Sequence, residues 1–350
     1  MLDRPLAQSL YLALSDGACH SGEALAQHLH VTRSAVWKAM ETLRELGLDI
    51  DARTHHGYQL AGSPAALSED LLRQEISTED SPLLPPVDLR VAWLLDSTNT
   101  TLLEEPPLTP GRLSVLFVEN QRGGRGRRGR QWQSRLGDSL CFSLAMRFET
   151  VPVDLPALPL VIGLSVRQVL RAQGVPVQLK WPNDLVMDHG ESGLAKLGGI
   201  LVELRAEAGG PALVVMGVGI NLRLDKAQRE EIAREGGNAT DLSAEGGLLI
   251  ERNALASRLI KELRVALAQF AREGFSPWRE RWMAADVLAG RSVAIERAGS
   301  FLEGVAEGID VQGALRLRVG ERLETLHGGE VSVRPYNPPS KGTAALTVTS

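Results

Sequence analysis

The sequence predicts an α+β chain of three units in series: a winged helix–turn–helix, a mixed α/β unit and a small β barrel. Three observations predict it. Apolar residues recur at helical spacing through residues 1–46 and then give way to two short strands. Strand-like and helix-like runs interleave from 64 to 285. Short apolar runs punctuated by Gly fill 286–335. A length of 350 residues suits two or three domains.

In the first unit, 1–63, Leu6, Leu10 and Leu14 mark one helical face. Ser21-Gly22-Glu23 opens a second helix, Glu23–Leu29, with Ala24, Leu25 and Leu29 as its apolar side. Val31-Thr32-Arg33-Ser34 turns into a third helix through Ala35, Val36, Met40, Leu43 and Leu46, with Thr32 as N-cap and Gly47 as C-cap. Leu48-Asp49-Ile50 and Tyr58-Gln59-Leu60 read as the strands of a wing around His56-Gly57, and Gly62-Ser63-Pro64 as a linker. In the second unit, 64–285, the strands are Leu89–Leu94, Val115–Val118, Ser139–Met146, Val177–Trp181, Gly199–Leu204 and Leu213–Gly217. Its helices include Leu160–Gln173 and Arg252–Phe270, the latter with Leu255, Leu259, Leu263 and Leu267 every fourth residue. The third unit, 286–335, offers Ser292–Glu296, Phe301–Ile309, Ala314–Val319 and Val331–Val333. Tyr336–Ser350, rich in Pro, Ser and Thr, reads as a disordered tail.

Composition narrows the function classes. With 43% hydrophobic and 23% charged residues, the chain is a globular protein rather than a disordered one. No uninterrupted apolar run reaches the ~18 residues of a membrane-spanning helix, and Met1–Pro5 lacks the basic start of a signal peptide. Cys19 and Cys141 lie far apart, so no disulfide framework and a reducing, cytoplasmic setting are expected. The net charge is −5, so any binding of polyanions must come from a local patch.

One such patch is Gly123-Gly124-Arg125-Gly126-Arg127-Arg128-Gly129-Arg130; from Gln121 to Arg135 there are six arginines and no acidic residue. Glycines let backbone N–H groups approach an anion, and each arginine adds a fixed charge with two-pronged geometry. Three other readings stand beside an anion-enclosing loop. Gly124-x-Gly126-x-x-Gly129 formally fits a dinucleotide fingerprint, although Gln131–Gly137 opens no apolar-faced helix. The run also fits an arginine–glycine RNA-binding segment, or a solvated surface loop.

Four further motifs carry chemistry. In Lys180-Trp181-Pro182-Asn183-Asp184, Pro182 ends a strand and leaves Lys180 where loops gather ligands, or else at a plain strand-to-turn junction. Asp96-Ser97-Thr98-Asn99 can cap a helix or bind a polar group. Lys196–Glu203 and Met216–Asn221 read as strands with Gly where a ligand or backbone comes close. Five of the seven histidines, His20, His28, His30, His55 and His56, fall in the first unit without ligand spacing, so no metal centre is expected. That unit carries five Lys/Arg and seven Asp/Glu, a net of −2. Its recognition helix still presents Thr32, Arg33, Ser34 and Lys38 at the end where such helices meet base edges; a protein-interaction role is the alternative.

In this order, Ser97–Asn99, Gln121, Gly124–Arg130, Lys180–Asp184, Lys196–Glu203 and Gly217–Asn221 resemble the biotin–protein ligases. The first unit, notably His20-Ser21-Gly22-Glu23 and His55-His56-Gly57-Tyr58, resembles the DNA-binding domain of the bifunctional members that also repress the biotin operon, and Gly328–Arg334 looks like the end of the family's small barrel. The resemblance covers nearly the whole chain except the tail. It implies a class II synthetase-like catalytic unit and an SH3-like barrel. It implies a reaction in which biotin and MgATP give biotinyl-5′-AMP, and a lysine of a carboxylase's biotin-carrier domain then displaces AMP. It implies Lys180, Arg125 and Arg127 as catalytic residues, with Ser97, Thr98, Asn99, Gln121 and Gly126 joining them around biotin. It places Arg125, Arg128, Lys180, Asn183, Gly217, Gly219 and Asn221 at the nucleotide. Operator DNA and a ligand-induced homodimer follow as partners, with no membrane. Two alternatives remain: a lipoate–protein ligase, and a biotin-sensing repressor with little ligase activity. Two departures stand out. The family's repressor covers adenine with a tryptophan after the Gly-x-Gly-x-Asn strand, where this chain has Gly236-Gly237-Asn238-Ala239-Thr240; and Met187–Ala195 is longer than the resemblance leads one to expect.

Overall fold

The computed structural model describes residues 4–53, 57–60, 65–78, 81–106, 108–206, 210–234, 237–246, 251–297, 300–327 and 332–335. The expected linker Gly62-Ser63-Pro64, His55, His56, Gly236, Gly328–Val331 and the tail from Tyr336 lie outside them.

The N-terminal unit has the expected order of elements, α1 (Arg4–Leu14), α2 (Gly22–His28), α3 (Arg33–Glu45) and the hairpin β1 (Ile50–Arg53) and β2 (Gly57–Leu60), but its first wing strand starts at Ile50 and runs on to Arg53 where Leu48–Ile50 was expected. The turns are written in the caps. Ser21 Oγ accepts from the Ala24 N–H at 3.0 Å and Thr32 Oγ1 from the Ala35 N–H at 3.2 Å. The C-cap of α3 is Leu46 rather than Gly47; Gly47 sits one residue beyond, at φ +101°, and its N–H returns to the Arg44 carbonyl. The core is Leu10, Leu14, Leu25, Val36, Met40 and Leu43, and one residue from far along the chain, Leu136, is wholly buried in it.

Next come α4 (Glu69–Ser77), β3 (Val87–Leu95), α5 (Thr98–Glu104), β4 (Leu113–Gln121), β5 (Ser139–Phe148), α6 (Leu158–Ala172), β6 (Gln178–Lys180), β7 (Asp184–Asp188), β8 (Leu194–Ala206), β9 (Ala212–Asn221), α7 (Lys226–Arg234), α8 (Leu242–Gly246), α9 (Arg252–Glu273) and α10 (Arg279–Met283). The strands make one sheet in the order β3-β4-β5-β9-β8-β7-β6, parallel only at β3–β4. Helices α6 and α9 bury one face of it against Phe117, Phe142, Leu144, Val214 and Met216. By length and composition Leu155–Ala172 would suffice to cross a membrane, although Gly163, Ser165, Arg167, Gln168 and Arg171 interrupt its apolar run; here it is a core helix, with Leu160, Val161, Leu164 and Val166 buried.

β10 (Ser292–Arg297), β11 (Ser300–Ile309), β12 (Leu315–Val319), β13 (Arg322–Leu326) and β14 (Ser332–Pro335) complete the chain. Among the described residues they form a five-stranded antiparallel sheet with β13 and β14 at its edges. Its inner residues Val293, Ile295, Ile309, Leu315 and Leu317 belong to the same apolar core as the larger sheet. The two are also hydrogen-bonded: Leu179 pairs with the backbone of Ala285–Val287, and the buried Trp181 indole donates to the Gly313 carbonyl at 2.9 Å. Cys19 and Cys141 are free thiols.

Candidate active site and nucleic-acid interface

The sheet face opposite α6 and α9 carries a cavity of about 540 Å³. Register explains what faces it. Lys180 pairs with Asp184, Asp184 with Gly199, Gly199 with Gly219 and Gly219 with Cys141, so these five form one row across five strands. The next row is Leu201, Gly217 and Ser143. Residues in a row share a face, so the row sets a lysine and a carboxylate at one end of a floor lowered by glycine.

The glycines make room first for protein. A Cβ on Gly217 would lie 2.5 Å from Asn99 Oδ1, and one on Gly219 would lie 2.7 Å from Trp132 Cε2. Gly217 and Gly219, expected beside the nucleotide, thus seat Asn99 and the Trp132 ring, which in turn line the cavity. Lys196 Nζ lies 5.8 Å from the Trp132 ring centroid, within cation–π range.

The α5 wall is held by a hydrogen-bonded chain. Ser97 is the N-cap of α5, accepting from the Thr100 N–H at 3.3 Å, so the capping reading of that motif holds together with its place on the cavity. Thr98 donates through its N–H at 3.0 Å to Gln121 Oε1, which also lies 3.2 Å from its hydroxyl oxygen. Ser143 Oγ lies 2.6 Å from both Thr98 Oγ1 and Asn99 Oδ1. Asn99 Nδ2 donates to the Leu201 carbonyl at 3.2 Å and to Glu203 Oε2 at 2.8 Å. Asn99 therefore acts mainly as a strut, with one Oδ1 lone pair left for a ligand. Asn221 is similar, its amide donating to the Thr240 carbonyl at 3.0 Å.

Across the cavity runs the glycine–arginine loop. It starts at Gly123, whose N–H donates to the Asp96 carbonyl at 2.8 Å, and closes where the Trp132 N–H donates to Gly124 at 2.8 Å. Arg128 adopts φ +59°, a left-handed conformation unusual for a side-chain-bearing residue. Arg125 Nη2 reaches Glu203 Oε2 at 3.1 Å, and Arg127 Nη1 donates to Asn183 Oδ1 at 3.2 Å. Asn183 is held in turn by donating to the Ile200 carbonyl at 2.7 Å. Burial lowers the Arg127 pKa; Asp184 opposes this, while Arg128 and Arg130 add to it. Lys196 Nζ meets Asp184 Oδ1 at 2.7 Å. Burial alone would raise the Asp184 pKa, but Lys196, Lys180 and Arg127 together hold it below the ordinary carboxylate value.

The structure thus gathers Ser97, Thr98, Asn99, Gln121, Arg125, Gly126, Arg127, Arg128, Lys180, Asn183, Gly217, Gly219 and Asn221 around one cavity. Sequence reasoning missed Trp132, Ser143, Asp184, Lys196 and Glu203 as site residues. One signal was available for Glu203: Gly199, Leu201 and Glu203 alternate on one face of β8, so the carboxylate falls on the cavity side. At the end where the resemblance places adenine, Ile232 and Ala239 line the wall, and the Gly237–Thr240 segment is tied to Lys196 by two backbone hydrogen bonds of 2.8 and 2.9 Å. Among the described residues no group of three or more His, Cys, Asp or Glu could hold a metal ion.

In the first unit, Thr32, Arg33, Ser34 and Lys38 are all exposed at the start of α3. The sequence reading left out Trp37, which is 55% exposed between them. Val36, Ala39, Met40 and Leu43 turn inward, so one face of α3 is left for a partner.

A helix–turn–helix joined to a cavity ringed by arginine, lysine and glycine defines a two-part protein, one part shaped to meet a duplex and the other to enclose a small anionic ligand. Comparison with known proteins narrows this class. Residues 91–221 match the biotin/lipoate A/B protein ligase family, 7–59 an HTH domain and 289–334 the biotin protein ligase C-terminal domain. The chain is 36% identical to the bifunctional ligase/repressor BirA of Salmonella typhimurium over 95% of this chain and 99% of that one. It is 27% identical to the protein of the same name from Bacillus subtilis, over 89% and 93%. Among solved structures, the biotin protein ligase of Aquifex aeolicus in complex with biotin and ATP superposes with a TM-score of 0.58 at 26% identity, covering 71% of this chain and 99% of that one. The chain belongs to the biotin protein ligases, in the branch of bifunctional ligase/repressors.

Proposed function

We propose that the chain condenses biotin with ATP to biotinyl-5′-AMP, transfers biotin to a lysine of a carboxylase's carrier domain, and represses transcription from an operator when the adenylate is bound. Three units bounded near 63 and 285 divide this work. The observation that carries the reading is the convergence of Lys180, Lys196, Arg125 and Arg127 on one cavity with an aromatic wall. In the first step a carboxylate oxygen attacks the α-phosphorus and pyrophosphate leaves. Two anions must meet, so fixed cations offset their repulsion and stabilise the charge that develops. We assign Lys180 and Arg127 to the reacting carboxylate and α-phosphate, and Arg125 and Arg128 to the phosphates. Ser97, Thr98 and Gln121 are assigned to biotin, whose neutral ring needs a few placed hydrogen-bond partners. Magnesium enters as the ATP complex. The loop shields the mixed anhydride from water. In the second step the acceptor amine attacks the carbonyl and AMP leaves, so no protein nucleophile is needed.

Thr32, Arg33, Ser34 and Lys38 are assigned to operator DNA, in a homodimer formed on adenylate binding. Work on ATP and operator DNA fits a cytoplasmic protein. The competing lipoate reading is served less well, because the C-terminal domain matches that of biotin protein ligases and the Aquifex aeolicus relative is named for biotin. A repressor with little ligase activity would have no use for Lys180 and the complete arginine loop. The test is ATP–pyrophosphate exchange with purified protein: exchange dependent on biotin and not on lipoate is expected, and lipoate-dependent exchange or none would overturn the ligase reading.

A further inference from the structure

We propose that Glu203 is a positioning residue that fixes Arg125, and with it one side of the glycine–arginine loop, to the α5 wall of the cavity. This rests on the ligase reading for its consequence in catalysis, but not for its geometry. One carboxylate oxygen, Glu203 Oε2, accepts from Asn99 Nδ2 at 2.8 Å and from Arg125 Nη2 at 3.1 Å. It is the junction of a continuous chain that runs Gln121, Thr98, Ser143, Asn99, Glu203, Arg125, so the strand end that begins the loop and the loop's own arginine are tied into one circuit. The Asn99 amide cannot be reversed, because its nitrogen faces a carbonyl and a carboxylate while its oxygen faces a hydroxyl. The side-chain exposures are 23% for Glu203 and 46% for Arg125, so the pair is too open to add much to stability. What it sets is orientation. Arg125 is tied on one side and Arg127, through Asn183, on the other, so the loop spans the cavity between two side-chain tethers. A guanidinium already oriented loses less freedom when an anionic ligand arrives.

The test uses the full chain with Glu203→Gln, Arg125→Gln and the double variant. In ligand-free protein, Glu203→Gln should speed tryptic cleavage within Gly123–Arg130 about three- to tenfold, the scale of one lost hydrogen bond of ordinary net strength, at an unchanged thermal midpoint. In biotin-dependent pyrophosphate exchange it should raise the KM for ATP by a similar factor and leave kcat within twofold. Because Glu203 acts through Arg125, the double variant should be no worse than Arg125→Gln alone. Wild-type cleavage and KM in Glu203→Gln, effects that multiply in the double variant, or a lowered thermal midpoint in Glu203→Gln would each overturn the proposal. Absence of exchange in the wild type would instead fail the ligase reading, and the ligand-free cleavage rates would still decide the role of Glu203.

Discussion

Asp184 is a carboxylate set among cations, and its pKa carries a consequence for pH. The folded value lies below the unfolded one, near ~4, because Lys196, Lys180 and Arg127 outweigh burial. Its stabilising contribution is therefore complete above that range and is lost as pH falls through the lower folded value. Asp184→Asn should cost about 1–3 kcal/mol at pH 7, between the exposed and buried limits for an ion pair. Denaturant titrations should show the gap to wild type narrowing as pH is taken toward about 3; an equal gap at both would mean that the charge contributes nothing. Lys180 faces the same floor, but its role is in the reaction. Lys180→Met should raise the barrier to adenylate formation by about 2–4 kcal/mol, roughly 30- to 1,000-fold in pyrophosphate exchange at saturating biotin, as for loss of one transition-state donor. A rate within a few-fold of wild type would remove Lys180 from that role. Lys180 was legible in the sequence because Pro182 marks the strand end beside it. Trp132 was not, because its place on the cavity depends on Gly219, far along the chain, leaving the space its ring fills.

At the level of elements, the loop and the segment after it join the two halves of the protein. Trp132 lines the cavity, and four residues later Leu136 is wholly buried in the helix–turn–helix core. Leu136→Ala should cost about 2–5 kcal/mol, the usual price of a large-to-small core change, and denaturant unfolding followed in the N-terminal unit should detect it; a loss under 1 kcal/mol would mean that the contact is not part of that core. The loop itself should be cut by trypsin in ligand-free protein and protected by biotin with MgATP. Equal cleavage in both states would show that it is no lid. The long elements were legible because periodicity outweighs local noise: the leucines of α9 and the apolar runs of β5 and β9 are unmistakable. The short ones were not. In α5 only Leu102 and Leu103 are apolar, and the helix is fixed by the Ser97 cap and the contacts of Thr98 and Asn99. The charged α7 shows no apolar stripe, and the residues read as an overlong connection, Met187–Ala195, are the end of β7, a tight turn and the start of β8.

On the scale of the whole molecule, the two halves are tied together by buried polar groups as well as by Leu136. Ser15 Oγ, at the end of α1, accepts from the Ala66 N–H at 2.8 Å, the buried Tyr11 of α1 hydrogen-bonds Arg252, which pairs with Glu119 in the interior, and the Tyr11 ring packs at a tilt beside Trp93, centroids 5.9 Å apart. With a net charge of −2 over residues 1–63, the DNA-binding unit gains little from phosphates, so specific binding should rely on base contacts doubled by two-fold symmetry. Gel shifts on a palindromic operator should therefore require biotin and ATP, depend steeply on protein concentration and weaken sharply in Arg33→Ala. Tight binding by ligand-free monomer would contradict this arrangement. Whether the cavity activates biotin for transfer to protein can be read by mass spectrometry of a purified biotin-carrier domain after incubation with this protein, biotin and MgATP. One added biotinyl group on one lysine is expected, absent without ATP; an unmodified carrier domain, or a lipoyl group transferred in its place when lipoate is supplied, would rule that activity out.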